Sequence, residues 1–394
     1  MAHIAFFTPS SAGHLNPTLG VAAELVDRGH RVTYATTEDF AARVKEVGAG
    51  LVGYDESIGE EFRSFRFVGS NLIDSMAACY QETAAIYPVL RDAFDADRPD
   101  LVVCDNGAWW GRLLAAHWDV PVAQSCPMFA FNDHWSMSEK YTKLNPLHPR
   151  LFLLFARLTK LIRGLGVDMT PKTLVTGAGI GTRLVFLPRE FQFAGDTFDG
   201  SFRFVGPCLR DRRFLGEWEH PGHDGPLLLC TLGTIYNTRP DFFRTVIEAC
   251  ADLPGHVVIA VGGGVDPADL GPRPAHIEVR SFVPQMKVLE HADLFVTHAG
   301  MGSTMESLYY GVPMLTVPQM SEEQANADRV VELGLGRTLA ASDRSAERLR
   351  AEIDSMLADP TLRPRLQAMK NATRDSGGAP AAVAALEALL EGSS

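Results

Sequence analysis

The chain has 394 residues, 46% hydrophobic and 21% charged, the balance of a folded globular protein of two or three domains and not of a disordered or fibrous one. Its 36 Lys and Arg against 48 Asp and Glu leave a net charge of −12, which argues against nucleic acid and anionic membranes as partners. A basic pocket for a small anion is still compatible with that balance.

The first residues, Met1-Ala-His-Ile-Ala-Phe-Phe7, lack a positive n-region and turn polar at Thr8, so they predict an opening strand and not a signal peptide. A helix is expected around residues 18–28, then a strand over 30–36. Residues 101–105 (Leu-Val-Val-Cys-Asp) read as a strand, 111–118 as a helix and 121–125 as a strand. The apolar stretch 151–167 is interrupted by Arg157, Lys160 and Arg163 and is too short to cross about 30 Å of hydrocarbon. It reads equally as a packed helix or as a lid. Residues 206–225, rich in Gly, Pro and charge, look like a linker. The pattern then restarts with strands at 227–232, 256–261, 277–280, 294–297 and 312–317 and a helix at 241–250, and ends on an Ala/Leu/Glu helix over 380–390.

Strands alternating with helices predict α/β architecture with parallel, doubly wound sheets, whose ligands bind outside the carboxyl ends of the strands. The expected organisation is an N-terminal domain over 1–206, a linker over 207–225 and a C-terminal domain over 226–394 that includes the tail helix, the two domains facing a cleft. Six cysteines (Cys79, Cys104, Cys126, Cys208, Cys230, Cys250) show no C-x-x-C spacing, and several sit in apolar runs. They read as buried, reduced thiols of a soluble cytoplasmic protein.

Three constellations carry chemistry. His14, in Ser10-Ser-Ala-Gly-His-Leu-Asn-Pro17, is expected in the loop after the first strand, where an imidazole can act as a general base or merely cap the helix. Asp105 ends the 101–105 strand; alone it suits a helix cap, and beside His14 it can fix the imidazole tautomer. The third runs from Phe282-Val-Pro-Gln285 through Thr297-His-Ala-Gly-Met-Gly-Ser-Thr-Met-Glu306 to Pro318-Gln-Met-Ser-Glu-Glu-Gln-Ala-Asn326. Here Gly300 and Gly302 open a helix whose N-terminus attracts phosphate, with His298 and Ser303 beside it as donors. Glu306 suits ribose hydroxyls, and Phe282 offers a flat face for a base. Trp109, Phe129, Phe131 and Trp135 can line an apolar pocket or fill a core. Gly177-Ala-Gly-Ile-Gly181 lacks dinucleotide-loop spacing and reads as a turn, and Asp95-Ala-Asp97 reads as a helix end and not a metal site.

The block from Phe282 to Asn326 resembles the donor-binding signature of the family 1 glycosyltransferases of GT-B fold, and the whole chain is most similar to their bacterial macrolide and natural-product branch. The resemblance implies an inverting hexosyltransferase that uses a UDP- or TDP-sugar, with no other cofactor and no metal. It implies His14 as the base and Asp105 as its partner. Phe282 would stack on the nucleobase, Val283 would bond to it through its backbone, and Gln285 would lie near the ribose. Glu306 would bind the ribose; His298, Gly302, Ser303 and Thr234 would hold the diphosphate; Glu322 and Glu323 would face the sugar. The acceptor would be a hydroxyl of a hydrophobic natural product such as a macrolide, polyketide or phenol. The family commonly has an acidic residue followed by Gln where this chain has Glu322-Glu323, and an ionised Glu only accepts hydrogen bonds. That departure shifts weight from glucose toward a deoxy- or aminosugar. A nucleotide-sugar epimerase and a donor-binding homologue without transfer activity are the competing readings, and the sequence leaves open whether the chain forms a homodimer.

Overall fold

The computed structural model describes residues 1–55, 72–142, 145, 147–210, 216–222, 224–233 and 237–392. They fall into two compact units, Met1–Leu209 with Ser376–Ser394, and Arg210–Asp375.

The first unit carries strands β1 (His3–Phe7), β2 (Arg31–Thr36), β3 (Gly50–Gly53), β4 (Leu101–Asp105), β5 (Val122–Cys126), β6 (Thr182–Val185) and β7 (Phe202–Phe204). Its helices are α1 (Ala12–Asp27), α2 (Ala41–Glu46), α3 (Leu72–Phe94), α4 (Trp109–Trp118), α5 (Met137–Lys140), α6 (Pro149–Leu165) and α7 (Pro171–Thr176). The strands form one parallel sheet in the order β3-β2-β1-β4-β5-β6-β7. Every residue of β1 and β4 is buried, as continuous apolar runs covered on both faces must be. Phe7, Val102 and Cys104 pack with Trp110, Leu113 and Leu90 of α4 and α3, whereas Ile4, Phe6 and Val103 pack with Leu15, Leu19 and Leu25 of α1.

The second unit repeats the plan. Strands β8 (Leu227–Thr231), β9 (His256–Ala260), β10 (Ile277–Arg280), β11 (Leu294–Thr297), β12 (Met314–Thr316) and β13 (Gly336–Thr338) form a parallel sheet in the order β10-β9-β8-β11-β12-β13. Between and after them come α8 (Pro240–Ala249), α9 (Gln285–Leu289), α10 (Met301–Tyr310), α11 (Ser321–Glu332), α12 (Ala346–Leu357) and α13 (Leu362–Asp375). Numbered from its own first strand, each sheet contains the order 3-2-1-4-5-6. The winding reverses between β1 and β4, and again between β8 and β11, and such a switch point is where open α/β sheets leave a crevice for ligands.

One expectation is corrected. The tail helix α14 (Gly378–Gly392) belongs to the first unit and not to a domain over 226–394. Its Ala382, Val383 and Leu386 are fully buried in the core that α1 covers, and Glu387 pairs with Arg28 at 2.9 Å. The boundary falls at Leu209/Arg210, inside the expected linker 207–225, and Cys208 is buried beside Gly20 of α1. The stretch 151–167 forms the amphipathic helix α6, which packs Leu154, Leu158 and Ile162 against the α3–α4 core. Residues 177–181 make the expected turn, with Gly177 and Gly179 at positive φ, and Asp95 to Asp97 follow the end of α3. All six cysteines are buried and none forms a disulfide. Among the described residues no helix is long and apolar enough to cross a membrane.

Candidate active site

In the first unit the sequence after β1 turns tightly and enters α1 sooner than expected. Ser11 holds an extended N-cap conformation, and its carbonyl accepts from His14 N at 3.1 Å and Leu15 N at 3.0 Å. His14 therefore sits in the first helical turn, not in the loop, and Pro17 lies within the helix. The ring is buried, and its Nδ1 is 2.9 Å from Asp105 Oδ2 at the end of β4. Asp105 is fully buried, and its Oδ1 accepts from Gly107 N at 2.8 Å, which pins the carboxylate. An ionised carboxylate only accepts, so against one Nδ1 would be the donor and Nε2 would keep its lone pair. The two residues lie 91 positions apart and meet because β1 and β4 are neighbours at the switch point.

The corresponding point of the second unit holds His298, directly after β11. Ala299 adopts φ 65°, an uncommon left-handed conformation for a residue with a Cβ. It is held by Asn326 Nδ2 donating to its carbonyl at 2.8 Å and by its own N–H donating to Thr297 Oγ1 at 3.2 Å. Gly300 then caps α10, whose first turn contains no acidic residue to neutralise its free N–H groups. Gly302 faces open space and Ser303 is half-buried.

The His298 ring is wedged between two glycines. A Cβ on Gly233 would lie 2.6 Å from the ring and one on Gly300 2.5 Å from its Nε2. Burial pulls its pKa down to about 4, only partly offset by a hydrogen bond to the Thr231 backbone, so the imidazole is neutral at pH 7. Gln285 Nε2 donates to Glu306 Oε2 at 2.7 Å and to Ser303 Oγ at 3.2 Å, joining three expected site residues into one chain of bonds. Phe282 is 51% exposed, a rare state for a large aromatic and the one a stacking platform needs, whereas Val283 is buried. Thr234 lies outside the described residues.

Glu322 and Glu323 open α11. Glu323 is buried; its Oε2 accepts from Gln319 N at 2.6 Å, and its Oε1 stands 4.0 Å from His298 Nε2. Burial, with some help from the charge of Glu322, pushes its pKa up to about 7. Neither His298 nor Glu323 thus carries a full charge at neutral pH.

The aromatic set divides. Trp109, at the start of α4, is buried in the core that α3 and α4 share, the second of its two expected places. Phe129 and Phe131 do line a small pocket in the first unit, and Trp135 stacks on Phe193 at 5.0 Å and meets Phe129 edge-on.

Residues 244–389 match the family described as Erythromycin biosynthesis protein CIII-like, C-terminal domain. The chain is 41% identical to the demethyllactenocin mycarosyltransferase of Streptomyces fradiae, over 99% of this chain and 87% of that one. It is 34% identical to the oleandomycin glycosyltransferase of Streptomyces antibioticus, over 99% and 91%. The crystal structure of CalG4, the calicheamicin glycosyltransferase, superposes with a TM-score of 0.89 at 35% identity, covering 99% of this chain and 98% of the other. The chain belongs to the macrolide and natural-product glycosyltransferases of GT-B fold.

Sequence reasoning missed the residues that hold this glycosyltransferase's loops in place. Asn326, buried in α11, fixes Ala299; Asn237, buried after β8, donates to Gly233 O at 3.2 Å and packs against Gly262 and Gly264. Arg344 donates to Pro318 O at 2.8 Å and so steadies the turn that Glu323 also holds. Asn326 was visible in the motif block, but no spacing rule marks an amide that serves a carbonyl 27 residues away.

Proposed function

We propose that this glycosyltransferase moves a hexose or deoxyhexose from a UDP- or TDP-sugar to a hydroxyl of a hydrophobic natural product, with inversion at the anomeric carbon. The observation that carries the reading is the buried His14 Nδ1–Asp105 Oδ2 hydrogen bond of 2.9 Å. His14 Nε2 takes the acceptor proton; the acceptor oxygen bonds to the anomeric carbon as the bond to the diphosphate oxygen breaks on the opposite face. Asp105 stabilises the imidazolium that forms.

The second unit binds the donor. The N-terminus of α10, with Gly302 and Ser303, donates hydrogen bonds to the diphosphate and takes up charge as it leaves, with the neutral ring of His298 beside it. These groups make a metal unnecessary to the reading. Phe282 stacks on the base, the Val283 backbone bonds to it, and Gln285 and Glu306 take the ribose. Glu322 and Glu323 face the sugar. A protonated Glu323 donates as well as accepts, doing there what Gln would do.

A transfer assay read by mass spectrometry tests the reading, with UDP-glucose, TDP-glucose and a TDP-deoxysugar against macrolide, polyketide and phenolic acceptors. A mass gain of one sugar that disappears in His14→Ala, while nucleoside diphosphate binding survives, is the expected result. Undiminished transfer by His14→Ala would remove His14 from the role of base.

A further inference from the structure

Arg112 is a charged residue set into the apolar core of the first unit. It lies in α4 and is 2% exposed, and no carboxylate pairs with it among the described residues. Gly111 explains how it comes to be there. The helix lies so close to β4 that a Cβ on Gly111 would stand 2.8 Å from the Cβ of Cys104, and the next side chain is carried to the carboxyl end of that strand. Burying a guanidinium without a counter-charge is costly, and neutral oxygens offset the cost only in part. Its Nε has no partner among the described residues. A residue kept at such a cost points to a task for the guanidinium beyond packing.

The fork joins two segments. Nη1 donates to Leu174 O, and to Val175 O at 3.3 Å, in the last turn of α7, where helix carbonyls lack partners of their own. Nη2 donates to Asn106 O at 3.3 Å and to Asn106 Oδ1 at 3.4 Å. Asn106 is held twice more: Gln124 Nε2 donates to its Oδ1 at 3.1 Å, and its own N–H donates to Ser125 O at 3.2 Å.

Asn106 directly follows Asp105. The turn between them and α4 closes as Ala108 N donates to Asp105 O at 3.0 Å, and Gly107 N is the group that pins Asp105 Oδ1 at 2.8 Å. Successive strand residues point to opposite faces; α4 covers the face of Cys104, whereas His14 meets Asp105 on the other. Arg112 therefore acts on the pair through the backbone of the turn and not by contact. We infer that Arg112 is a positioning residue: by clamping Asn106 to the end of α7 it fixes the turn after β4 and keeps the Asp105 carboxylate aimed at His14 Nδ1. The inference rests on the reading of His14 as the base. Without the clamp the carboxylate can shift, and a misplacement of about 1 Å costs on the order of a hundredfold in rate.

The test uses the full chain as wild type, His14→Ala, Arg112→Met and Arg112→Lys. It follows kcat of sugar transfer, TDP affinity, and the tautomer of the His14 imidazole by NMR of isotope-labelled ring nitrogens, assigned by their absence from His14→Ala. In Arg112→Met kcat should fall about ten- to a hundredfold with TDP affinity unchanged, and the fraction of His14 protonated at Nδ1 should drop. Arg112→Lys keeps the charge but offers a single point where the fork spans two segments, so it should recover only part of kcat. It decides the matter if Arg112→Met does not fold, wild-type kcat and tautomer in Arg112→Lys being then the contrary result. Wild-type kcat in folded Arg112→Met, or a loss of kcat with the His14 tautomer unchanged, would overturn the positioning role and leave Arg112 as a brace for α7. Undiminished transfer by His14→Ala would instead strike the reading of His14 as base. With His14→Ala inactive and both Arg112 variants like the wild type, only the positioning role falls.

Discussion

Two histidines stand at equivalent switch points of two sheets with the same strand order, and their surroundings make them chemically opposite. His14 is bonded at 2.9 Å to a fully buried carboxylate that can stabilise its cation. His298 stands 4.0 Å from Glu323, is wedged between Gly233 and Gly300, and is held neutral by burial. Topology decides where an imidazole sits, and the neighbour decides whether it trades protons or only donates a hydrogen bond. A base needs the first environment. On the proposed assignment the second only has to stay uncharged beside the diphosphate.

The sharpest way to break this comparison is to remove the partner from His14. In Asp105→Asn the amide can present its N–H to Nδ1 and favour the tautomer whose Nε2 is protonated and cannot accept. On the proposed assignment kcat falls about 10²- to 10⁴-fold, as it does for His14→Ala, while UDP and TDP affinity is unchanged in both. Substitutions at His298 should show the reverse, weaker nucleotide binding before any specific loss of proton transfer. Steady-state kinetics beside nucleotide titration check both.

A second test concerns stability and separates the units. Leu386 of the tail helix is fully buried in the core beneath α1, so Leu386→Ala should cost about 2–5 kcal/mol. Because α14 belongs to the first unit, the loss should appear in the unfolding of that unit while nucleotide binding by the second persists. Urea unfolding followed in parallel with TDP binding reads both. A loss of nucleotide binding at the same urea concentration as the structural transition would show that the units unfold as one.

Much of this was legible in the sequence. The central strands showed themselves as apolar runs, and Phe282, His298, Gly300 and Glu306 fell where a βα loop could use them. Strands β6, β7 and β13, at three or four residues, are too short to show a period. Helices α12 and α13 are mostly polar and bury only one narrow stripe each, so their residues gave little signal. His14 was misplaced into a loop because Pro17 suggested a later helix start, when the Ser11 carbonyl already accepts from the first turn. Trp109 could not be told from a pocket wall, since an aromatic beside a strand end suits core and cleft alike. Gln124 had a usable signal that went unread: a polar residue in the middle of a strand otherwise buried on both faces needs a partner.

The His298–Glu323 pair makes a prediction in pH, with smaller energies. Glu323 has its pKa raised from 4.5 to about 7, so the folded state keeps a proton the unfolded chain has released, and stability falls as pH rises through that window. His298 has its pKa lowered from 6.5 to about 4, so the unfolded chain takes up a proton the folded state refuses, and stability falls as pH drops through that window. Between 4.5 and 6.5 the two slopes oppose each other and largely cancel. Glu323→Gln should therefore gain up to about 3 kcal/mol over the wild type between pH 4.5 and 7.5, and His298→Asn should gain a similar amount as pH falls from 7 to 4. Chemical denaturation of each variant against the wild type at three pH values checks the signs. Parallel curves for wild type and Glu323→Gln would mean that the carboxylate is solvated and ordinary.

The smallest effect asks how the second site distributes its work. Ser303 Oγ accepts from Gln285, but Gln285 also holds Glu306 at 2.7 Å, so Ser303→Ala leaves the rest of the bonded chain intact. On the proposed assignment one hydrogen bond to the diphosphate is lost among several from the α10 N-terminus. Nucleoside diphosphate affinity should drop about three- to tenfold, with thermal stability nearly unchanged. That is far less than the cost of removing one atom's bond from His14. A proton transfer depends on a single basic nitrogen, whereas an anion is bound by a field of donors, each of which the others can partly replace. A hundredfold loss in Ser303→Ala would reverse that contrast and make the second site as dependent on one group as the first.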